Sequence, residues 1–274
     1  MQGSSQAAQT NPYELAVGGS LEIPSAIEFV DVHKTFGNNR VLDGLSMEIP
    51  EGKISMLMGP SGTGKSVCIN HMVGLMLPDS GDILIEGESV PQMTMPQLRE
   101  MRRQKFGVLF QDGALFSSMS LFDNVAFPLR QMTNTPASEV AEIVMRRLGD
   151  VGLTDAVDSL PAELSGGMRK RAGFARALVM DPHIVLFDEP DSGLDPVRCA
   201  LLCELIQEVH EHSGGTYVVV THDMLSARRI GEYLCILWRG EVVEQGSAVQ
   251  VFNSENEFVR QFLAGDAIGP LGME

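Results

Sequence analysis

A glycine-rich segment at positions 59–66, Gly-Pro-Ser-Gly-Thr-Gly-Lys-Ser, follows the mostly apolar run 54–58. A loop of this composition leaves a buried strand and opens a helix, and its backbone N–H groups converge on oxyanions. Six of its residues are expected to bind nucleotide phosphates: Ser61, Gly62, Thr63, Gly64, Lys65 and Ser66. Lys65 is expected to reach the β- and γ-phosphates, and the Ser66 hydroxyl is placed to ligate Mg²⁺. The alternative, an ordinary glycine-rich turn, is disfavoured by the flanking strand and helix patterns.

The composition fits one large α/β domain of two lobes. The chain has 274 residues, 44% of them hydrophobic, which suffices for a full core. No apolar run approaches the roughly eighteen residues that a membrane span requires. Residues 1–20 are rich in Gln, Ser, Ala and Gly, and residues 1–24 are expected to be a disordered tail and not a signal peptide.

The four cysteines are predicted to be reduced thiols. Cys68, Cys199, Cys203 and Cys235 form no CxxC pair, and the i,i+4 spacing of the middle two is by itself a poor zinc site. Reduced thiols are typical of a cytoplasmic protein.

The formal net charge of −16 argues against nucleic acid as a partner, because a phosphate backbone repels an acidic surface. Two basic clusters interrupt this acidity. Residues 99–105 lie on a probable helix and are interpreted as a solvated helix face. Residues 169–171, Arg-Lys-Arg, come just after a Gly-Gly turn.

Periodicity predicts a β-rich beginning. Residues 27–32 alternate as an edge strand, residues 34–39 form a turn, and residues 41–49 form a second strand. With residues 53–58 and 81–85, these segments predict a β-rich N-terminal layer packed on the phosphate-loop strand.

The middle of the chain is predicted to be helical. Residues 121–152 have a helical pattern of apolar positions, which Pro128 and Pro136 interrupt. This pattern indicates an inserted α-helical lobe, and the core resumes at Ile184.

Residues 184–189, Ile-Val-Leu-Phe-Asp-Glu, form a short buried-type strand that ends in two carboxylates. The carboxyl ends of parallel strands are where α/β sheets bind ligands. Asp188 is expected to hold Mg²⁺ through water, opposite Ser66, and Glu189 to polarise the attacking water. The alternative is that both acids cap a turn.

The segment Leu164-Ser165-Gly166-Gly167 precedes a helical pattern over residues 169–180. Free N–H groups and the positive end of the helix dipole make such a start a second anion-binding site. Taken alone, the segment would favour the alternative of an ordinary helix cap after a loop at Pro161.

The order of these motifs resembles that of the ATP-binding cassette proteins. Six motifs follow the family order between Phe36 and His222: the phosphate loop, isolated Gln111, Leu-Ser-Gly-Gly, the strand with Asp-Glu, Ser192-Gly193-Leu194-Asp195, and His222 itself. The resemblance implies an ATPase with an α/β P-loop NTPase fold, in which a β-rich N-terminal layer, a RecA-like core and an inserted helical lobe form the cassette. It places that domain at residues 25–257 and the helical lobe at about residues 112–165.

The resemblance also implies a role for each site residue. Phe36, which the residues alone leave equally as partial core or as an adenine-stacking ring, would stack on adenine. Mg²⁺ would be organised by Ser66, Gln111 and Asp188. Glu189 would be the catalytic base, and His222 would contact the γ-phosphate of ATP.

Two cassettes of this family face each other head to tail. The resemblance therefore implies a second copy of this chain as a partner, whose site would be completed by Ser165, Gly166, Gly167 and Asp195. Met168 stands where the family more often has Gln, and Gly193 where it often has Ala. Neither replacement removes a phosphate ligand.

Segments outside the nucleotide site resemble the ATPases of Mce-type lipid transporters, which are related to the Mla ATPases, and most closely the actinobacterial members. These segments are residues 107–116, 166–173, 188–198 and 259–273. The resemblance implies transport of a sterol, fatty acid or phospholipid, with an integral membrane permease and Mce lipid-binding subunits as partners, at the cytoplasmic face of the inner membrane. The alternative within the family is the ATPase of a generic small-solute importer.

Two further segments are expected to contact partners. Residues 115–129, with three Phe, would form the groove that receives a permease helix, or else the core of the helical lobe. Residues 258–274 have too many apolar groups to leave in water and are predicted to be an interaction tail. A non-transport cassette and a binding module without turnover are disfavoured, because the chain lacks a coiled-coil insertion and has both Glu189 and His222.

Overall fold

The computed structural model describes residues 23–271. The predicted disordered tail, residues 1–24, therefore lies outside the described residues apart from its last two. The strands in the described part are β1 (Ser25–Phe36), β2 (Asn39–Pro50), β3 (Ile54–Met58), β4 (Ser80–Ile85), β5 (Glu88–Ser89), β6 (Phe106–Leu109), β7 (Ile184–Asp188), β8 (Thr216–Val220), β9 (Tyr233–Trp238) and β10 (Glu241–Ser247).

Helices connect and cover these strands. They are α1 (Lys65–Met72), α2 (Met95–Lys105), α3 (Leu121–Met132), α4 (Ala137–Asp150), α5 (Gly166–Leu178), α6 (Pro196–Ser213), α7 (Met224–Ile230), α8 (Ala248–Phe252) and α9 (Glu257–Ala264). None of these helices is long and apolar enough to cross a membrane.

The six-stranded sheet has the order β10-β9-β3-β8-β7-β6, and all its neighbours are parallel except β10 with β9. Its strands are apolar on both faces, as is typical of parallel strands. In β3, Met56 and Met58 face one hydrophobic cluster, which includes α3, α4 and α5, whereas Leu57 faces the other. The sheet thus lies between the helices and the N-terminal layer.

The N-terminal layer is a four-stranded antiparallel sheet of order β2-β1-β4-β5. The prediction of an edge strand at residues 27–32 is wrong, because β1 pairs with both β2 and β4. Residues 53–58 belong to the other sheet as β3.

The predicted turn at residues 34–39 is also wrong in extent. Strand β1 continues to Phe36, which pairs with Asn39, so the turn is only two residues long and Gly37 has φ +60°. A two-residue hairpin turn of this kind favours glycine first. Asp79 extends the strand by accepting from Thr35 N at 2.7 Å and from Lys34 Nζ at 2.8 Å.

Helices α3 and α4 occupy the predicted helical lobe. Pro136 caps α4, but Pro128 lies inside α3 and does not end it. The apolar face of α3 spans the proline, since Val125 and Ala126 before it and Leu129 after it are buried. Burial of this face outweighs the penalty of about 3 kcal/mol for an interior proline.

The basic cluster on α2 is not the solvated face that the sequence indicated. Arg102 Nη1 donates to the Val73 carbonyl at 3.1 Å, and Arg103 Nη1 donates to the Met132 carbonyl at 3.0 Å. Lys105 Nζ is paired with Glu88 at 2.9 Å. These cations tie α2 to neighbouring segments.

The beginning of the predicted interaction tail packs on its own cassette. Phe258, Val259 and Leu263 of α9 are buried, and the Phe258 ring lies 5.1 Å from that of Trp238. Phe258, Val259 and Leu263 are therefore covered by their own chain, and the prediction that they need a partner is wrong. Ile268, beyond the helix, is exposed.

Candidate nucleotide site

Four neighbouring parallel strands end at one edge of the central sheet. The phosphate loop follows β3, Glu189 follows β7, His222 lies two residues after β8, and Gln111 lies two residues after β6. Ligands of open α/β sheets bind outside such carboxyl ends. The topology therefore brings the phosphate loop, Gln111, Glu189 and His222, which are predicted to act within one chain, to the same edge of the sheet.

Lys65 opens α1 and its side chain folds back over the phosphate loop. Its Nζ donates to the carbonyls of Gly59 and Pro60, each at 2.8 Å, and the residue is only 5% exposed. Burial lowers the pKa of Lys65, and the carboxylates of Glu189 and Asp188 act in the opposite direction. An ammonium bonded only to carbonyls is well placed to exchange them for phosphate oxygens.

Two glycines are required by the shape of the phosphate loop. Gly59 has φ +150°, and a Cβ there would lie 2.3 Å from the Leu237 carbonyl oxygen. Gly64 has φ +97°, and a Cβ would lie 3.0 Å from Leu42 Cδ2. Glycine is therefore favoured at both positions. Without side chains there, the loop backbone can approach a ligand closely.

Phe36 lies at the end of β1, beside the phosphate loop. Its ring is 43% exposed and helps to line an open cavity of about 330 Å³ with Gly64, Lys65 and Glu189. Lys34 Nζ lies 5.8 Å from the ring centroid. Between the two interpretations of Phe36, this exposure disfavours partial core.

Asp188 ends β7 and contacts the phosphate loop. Ser66 Oγ donates to Asp188 Oδ1 at 3.2 Å. Burial raises the pKa of Asp188, and Glu189 adds to this effect, whereas the Ser66 hydrogen bond and Lys65 oppose it. A hydroxyl and a carboxylate together are the hard oxygen donors that suit Mg²⁺.

Glu189 and His222, the two predicted catalytic residues, meet across the site. His222 Nδ1 lies 3.6 Å from Glu189 Oε1. Glu189 has φ +47°, a left-handed conformation that is uncommon for a residue with a side chain. Its N–H donates to the Val220 carbonyl at 2.9 Å, which joins the ends of β7 and β8.

Gln111 is exposed and its side chain turns toward another loop. Its Nε2 donates to Ser192 Oγ at 3.0 Å. No hydrogen bond joins Gln111 to Ser66 or Asp188 within residues 23–271. The structure thus brings together only two of the three predicted Mg²⁺ ligands.

The residues predicted to act on an opposite subunit lie elsewhere on this chain. Ser165 Oγ accepts from Met168 N at 3.3 Å and caps α5, and Asp195 caps α6 by accepting from Arg198 N at 3.0 Å. Ser165 and Gly167 line a cavity of about 630 Å³ to which the phosphate loop contributes nothing. Within one chain, the two predicted halves of the site are therefore separate.

Two buried polar residues next to the site were not identified as site residues by sequence reasoning. Lys170 of α5 is 4% exposed and donates from Nζ to the Pro190 carbonyl at 2.7 Å. Asp191 is 8% exposed, and its Oδ2 accepts from Thr221 Oγ1. The available signal was the basic cluster at residues 169–171, which lies beside the Leu-Ser-Gly-Gly segment in an acidic chain.

Comparison with known families places these residues in context. The family model described as "ABC transporter" matches residues 42–192, which is more than half of the chain. Among known proteins, the "probable ribonucleotide transport ATP-binding protein mkl" of Mycobacterium leprae is 48% identical over 260 residues, covering 94% of this chain and 75% of that protein. The "intermembrane phospholipid transport system ATP-binding protein MlaF" of Escherichia coli K12 is 41% identical over 249 residues, covering 91% and 92%.

Solved structures agree in fold. The dimeric structure of MJ0796, a bacterial ABC transporter cassette, has TM-score 0.75 and 31% identity and covers 81% of this chain and 98% of its own. A post-hydrolysis state of the same cassette, bound to ADP and Pi, has TM-score 0.74 and 30% identity over the same shares. The predicted cassette fold and the predicted ATPase activity are both confirmed. The chain belongs to the ABC transporter family, as an ATP-binding and ATP-hydrolysing cassette.

Proposed function

We propose that this ATPase drives the movement of a lipid, such as a sterol, fatty acid or phospholipid, through an integral membrane permease that works with Mce lipid-binding subunits. The observation that carries the proposal is the 41% identity to a phospholipid-transport ATPase along 91% of this chain and 92% of the relative. An alignment of that length includes segments outside the nucleotide site, where differences between transporter subfamilies are expected.

In the hydrolytic step, we assign phosphate binding to Lys65 and to the backbone of residues 61–66. Glu189 is the general base that takes a proton from the attacking water, and His222, 3.6 Å from its carboxylate, keeps that water and the γ-phosphate in register. The exposed ring of Phe36 stacks on adenine at the mouth of the cavity it lines. Phosphoryl transfer needs mainly positioning and charge stabilisation, which these residues supply.

The residues present fit Mg²⁺. Ser66 and Asp188 already touch, and Mg²⁺ is often bound by one or two protein oxygens while phosphates and water complete its shell. The residues that the structure describes include no cluster of three or more His, Cys, Asp or Glu able to hold a metal. The chemistry that the bound ion supplies is neutralisation of phosphate charge. Gln111 would be the third residue to hold the ion, and its hydrogen bond to Ser192 Oγ would have to break first.

We propose a head-to-tail dimer in which each chain lends its signature segment to the other. This segment, Ser165 to Gly167, lies apart from the phosphate loop of its own chain, and a structural neighbour with TM-score 0.75 is described as dimeric. The start of α5 is an exposed helix N-terminus, which favours the γ-phosphate of ATP bound by the second copy. Asp195 lies at the same interface.

The permease is proposed to dock on the loop before α3, at the cytoplasmic face of the inner membrane. Buried Asn124 shapes this loop: its Oδ1 accepts from Phe116 N at 2.7 Å and its Nδ2 donates to the Met119 carbonyl at 3.1 Å. Phe116 is thereby left exposed, with its ring 4.7 Å from that of Phe127. An aromatic pair with one exposed ring, in a loop that Asn124 holds, suits an apolar helix face. The buried residues of α3 fulfil the alternative expectation of core.

The tail is proposed to bind the transporter complex through the residues that follow α9. Because α9 packs on the cassette, the informative cut is after Ala264, which leaves Phe258, Val259 and Leu263 in place. Such a chain should lose complex stability. Its melting temperature should fall less than after a cut that removes α9, because it loses only the packing of Leu271 and the hydrogen bonds to Gln261. A cut after Glu257 is the control, because it should destabilise the cassette itself. A complex of unchanged stability and activity after the Ala264 cut would exclude the tail as an interaction element.

A second candidate substrate is a ribonucleotide, since the mycobacterial relative carries that description. Purifying the complex from native membranes, and measuring lipid flux in the same strain, distinguishes a lipid from a ribonucleotide as the substrate. We expect a permease and Mce subunits to co-purify, and Glu189→Gln to abolish lipid movement. Glu51→Gln, in the exposed turn between β2 and β3, should leave lipid movement unchanged. Recovery of a permease without Mce subunits, with lipid flux unaltered and ribonucleotide uptake lost, would support the second candidate and exclude the first.

A further inference from the structure

Lys170 is a buried cation that contacts the backbone around the proposed catalytic base. Its Nζ donates to the carbonyls of Pro190 and Ser192 and lies 3.5 Å from the Glu189 carbonyl. The three carbonyls belong to one loop that leaves β7. Burial lowers the pKa of Lys170, and the nearby Asp191 carboxylate acts in the opposite direction.

The loop that Lys170 holds is conformationally demanding. Glu189 has φ +47°, and a residue with a Cβ persists in the left-handed region only when its surroundings fix it. Apart from Lys170, the described contacts of this loop include Glu189 N with the Val220 carbonyl and Ser192 N with the Glu189 carbonyl at 3.2 Å. Because Lys170 Nζ contacts three carbonyls of this loop at once, it adds a restraint that a neutral apolar side chain could not supply.

The same loop connects to the other segments of the site. Ser192 Oγ accepts from Gln111, and Asp191 Oδ2 accepts from Thr221 Oγ1. Thr221 Oγ1 in turn accepts from Asp223 N at 2.9 Å, so the two hydrogen bonds flank His222. Residues 189–192 thus form a junction between the segments that carry Gln111, Glu189 and His222, and Lys170 joins that junction to α5.

We propose that Lys170 is a positioning residue for ATP hydrolysis, which fixes the backbone of residues 189–192 within its own chain and thereby aims the Glu189 carboxylate. This inference rests on the proposed role of Glu189 as general base. It also couples the two halves of the site, because α5 begins with the signature segment that faces the second copy. A displacement of α5 is transmitted through Lys170 to the base of the same chain.

The test compares Lys170→Met with Lys170→Gln, using Lys105→Met as a control that removes an ion pair on α2. The Met variant should lower kcat about 10- to 100-fold, the range expected when a reacting group is misplaced by about 1 Å, with KM for ATP changed less than about threefold. The Gln variant keeps amide donors and should recover most of that loss. Lys105→Met should match the wild type.

Hydrogen exchange supplies a readout that a purely structural role would not give. In Lys170→Met, amides of residues 188–194 should exchange faster while those of residues 54–66 are unchanged. Exchange accelerated throughout the domain, with kcat and ATP affinity falling together, would mean that Lys170 only stabilises the fold. An unchanged kcat in Lys170→Met would also overturn the inference.

A double variant tests whether Lys170 is only a counter-charge for Asp191. Lys170→Met combined with Asp191→Asn removes both buried charges. Asp191→Asn alone is the reference, because Asp191 also accepts from Thr221 Oγ1. Full recovery of kcat in the double variant would overturn the inference, whereas a kcat below that of Asp191→Asn alone upholds it, because the carbonyls would still lack their donor. Measuring Glu189→Gln in the same assay separates the positioning role of Lys170 from the base role of Glu189. If that variant keeps wild-type turnover while Lys170→Met loses turnover and its loop amides exchange faster, the base assignment fails. Lys170 would then position the backbone of residues 189–192 for another reacting group.

Discussion

The two halves of the nucleotide site differ in what their side chains contact. In the phosphate-loop half, Lys65 is buried and bonded to carbonyls, Ser66 is bonded to Asp188, and Glu189 lies near His222. In the signature half, the Ser165 hydroxyl accepts only from the helix that it caps, and Ser165 is exposed. One half is therefore assembled inside the chain, whereas the other is presented outward. A site divided in this way agrees with the proposal that a second copy completes it.

The largest expected effect is on the assembled half. Glu189→Gln should lower steady-state turnover by about two to four orders of magnitude, because a general base is lost while the shape of the side chain is kept. ATP binding should persist, and a closed dimer should accumulate. Turnover by a coupled phosphate assay and dimer formation by size-exclusion chromatography with ATP check both points. Glu51→Gln, in the exposed turn between β2 and β3, is the matched control. Turnover within a few-fold of wild type for Glu189→Gln would exclude the base role.

The next effect tests whether the signature half acts on the other copy. Ser165→Arg places a large cation at the start of α5, and Lys65→Ala removes the ammonium from the phosphate loop, so each chain alone should be inactive. Mixed, they form heterodimers with one intact composite site, and partial turnover should return. Calorimetry should show that Lys65→Ala, unlike Ser165→Arg, has lost affinity for ATP. Heterodimers as inactive as both parents would mean that the signature half acts in its own chain or that the two sites are strictly coupled.

A smaller effect concerns the electrostatics of the assembled half. The pKa of Asp188 is raised by burial, so the folded state binds this proton more tightly than the unfolded state. The stability due to the protonated form is present below the unfolded pKa of about 3.9 and is lost as pH rises through the folded pKa. At pH 7 the ionised carboxylate is therefore unfavourable without nucleotide.

Asp188→Asn should accordingly raise the melting temperature of the nucleotide-free protein at pH 7. We expect about 2–4 °C, which corresponds to about 1 kcal/mol for a chain of this size after allowance for solvent screening of a half-buried group. The gain should vanish below about pH 4. Asp195→Asn is the control in the signature half, since Asn caps helices as well as Asp. A lower melting temperature for Asp188→Asn at pH 7 would contradict the assigned direction.

The sequence anticipated the assembled half well because its chemistry depends on local motifs that end parallel strands. Lys65, Asp188 and Glu189 could each be placed from the strand before them, whereas His222 was placed by the resemblance to the family. The lengths of β1 and of the turn after Phe36 were not predictable, because Asp79 contacts Lys34 and Thr35 from 44 or more residues away. The position of Gln111 depends in the same way on Ser192, which is distant in sequence.

Failures of the sequence interpretation share one physical cause. Periodicity shows which face of an element is apolar but not what covers that face, so α9 was mistaken for a segment in need of a partner. Charge counting likewise identifies Lys170 and Arg102 as cations without showing that their ends reach buried carbonyls. Long side chains can bury their stems while their ends bind backbone oxygens far away in sequence.

The smallest expected effect concerns Met168, where the family more often has Gln. Its side chain packs partly against the core cluster of the helical side, while its N–H donates to Ser165 Oγ. If the signature half binds phosphate through the start of the helix and Ser165, the side chain at this position has no ligand to contact. Met168→Gln, which is similar in length, should therefore keep kcat and KM within about threefold and change the free energy of unfolding by less than about 1.5 kcal/mol. A change in kcat above tenfold at unchanged melting temperature would show that this side chain reaches the opposite site. The signature half would then also act through side chains other than Ser165, and its contrast with the phosphate-loop half would fail.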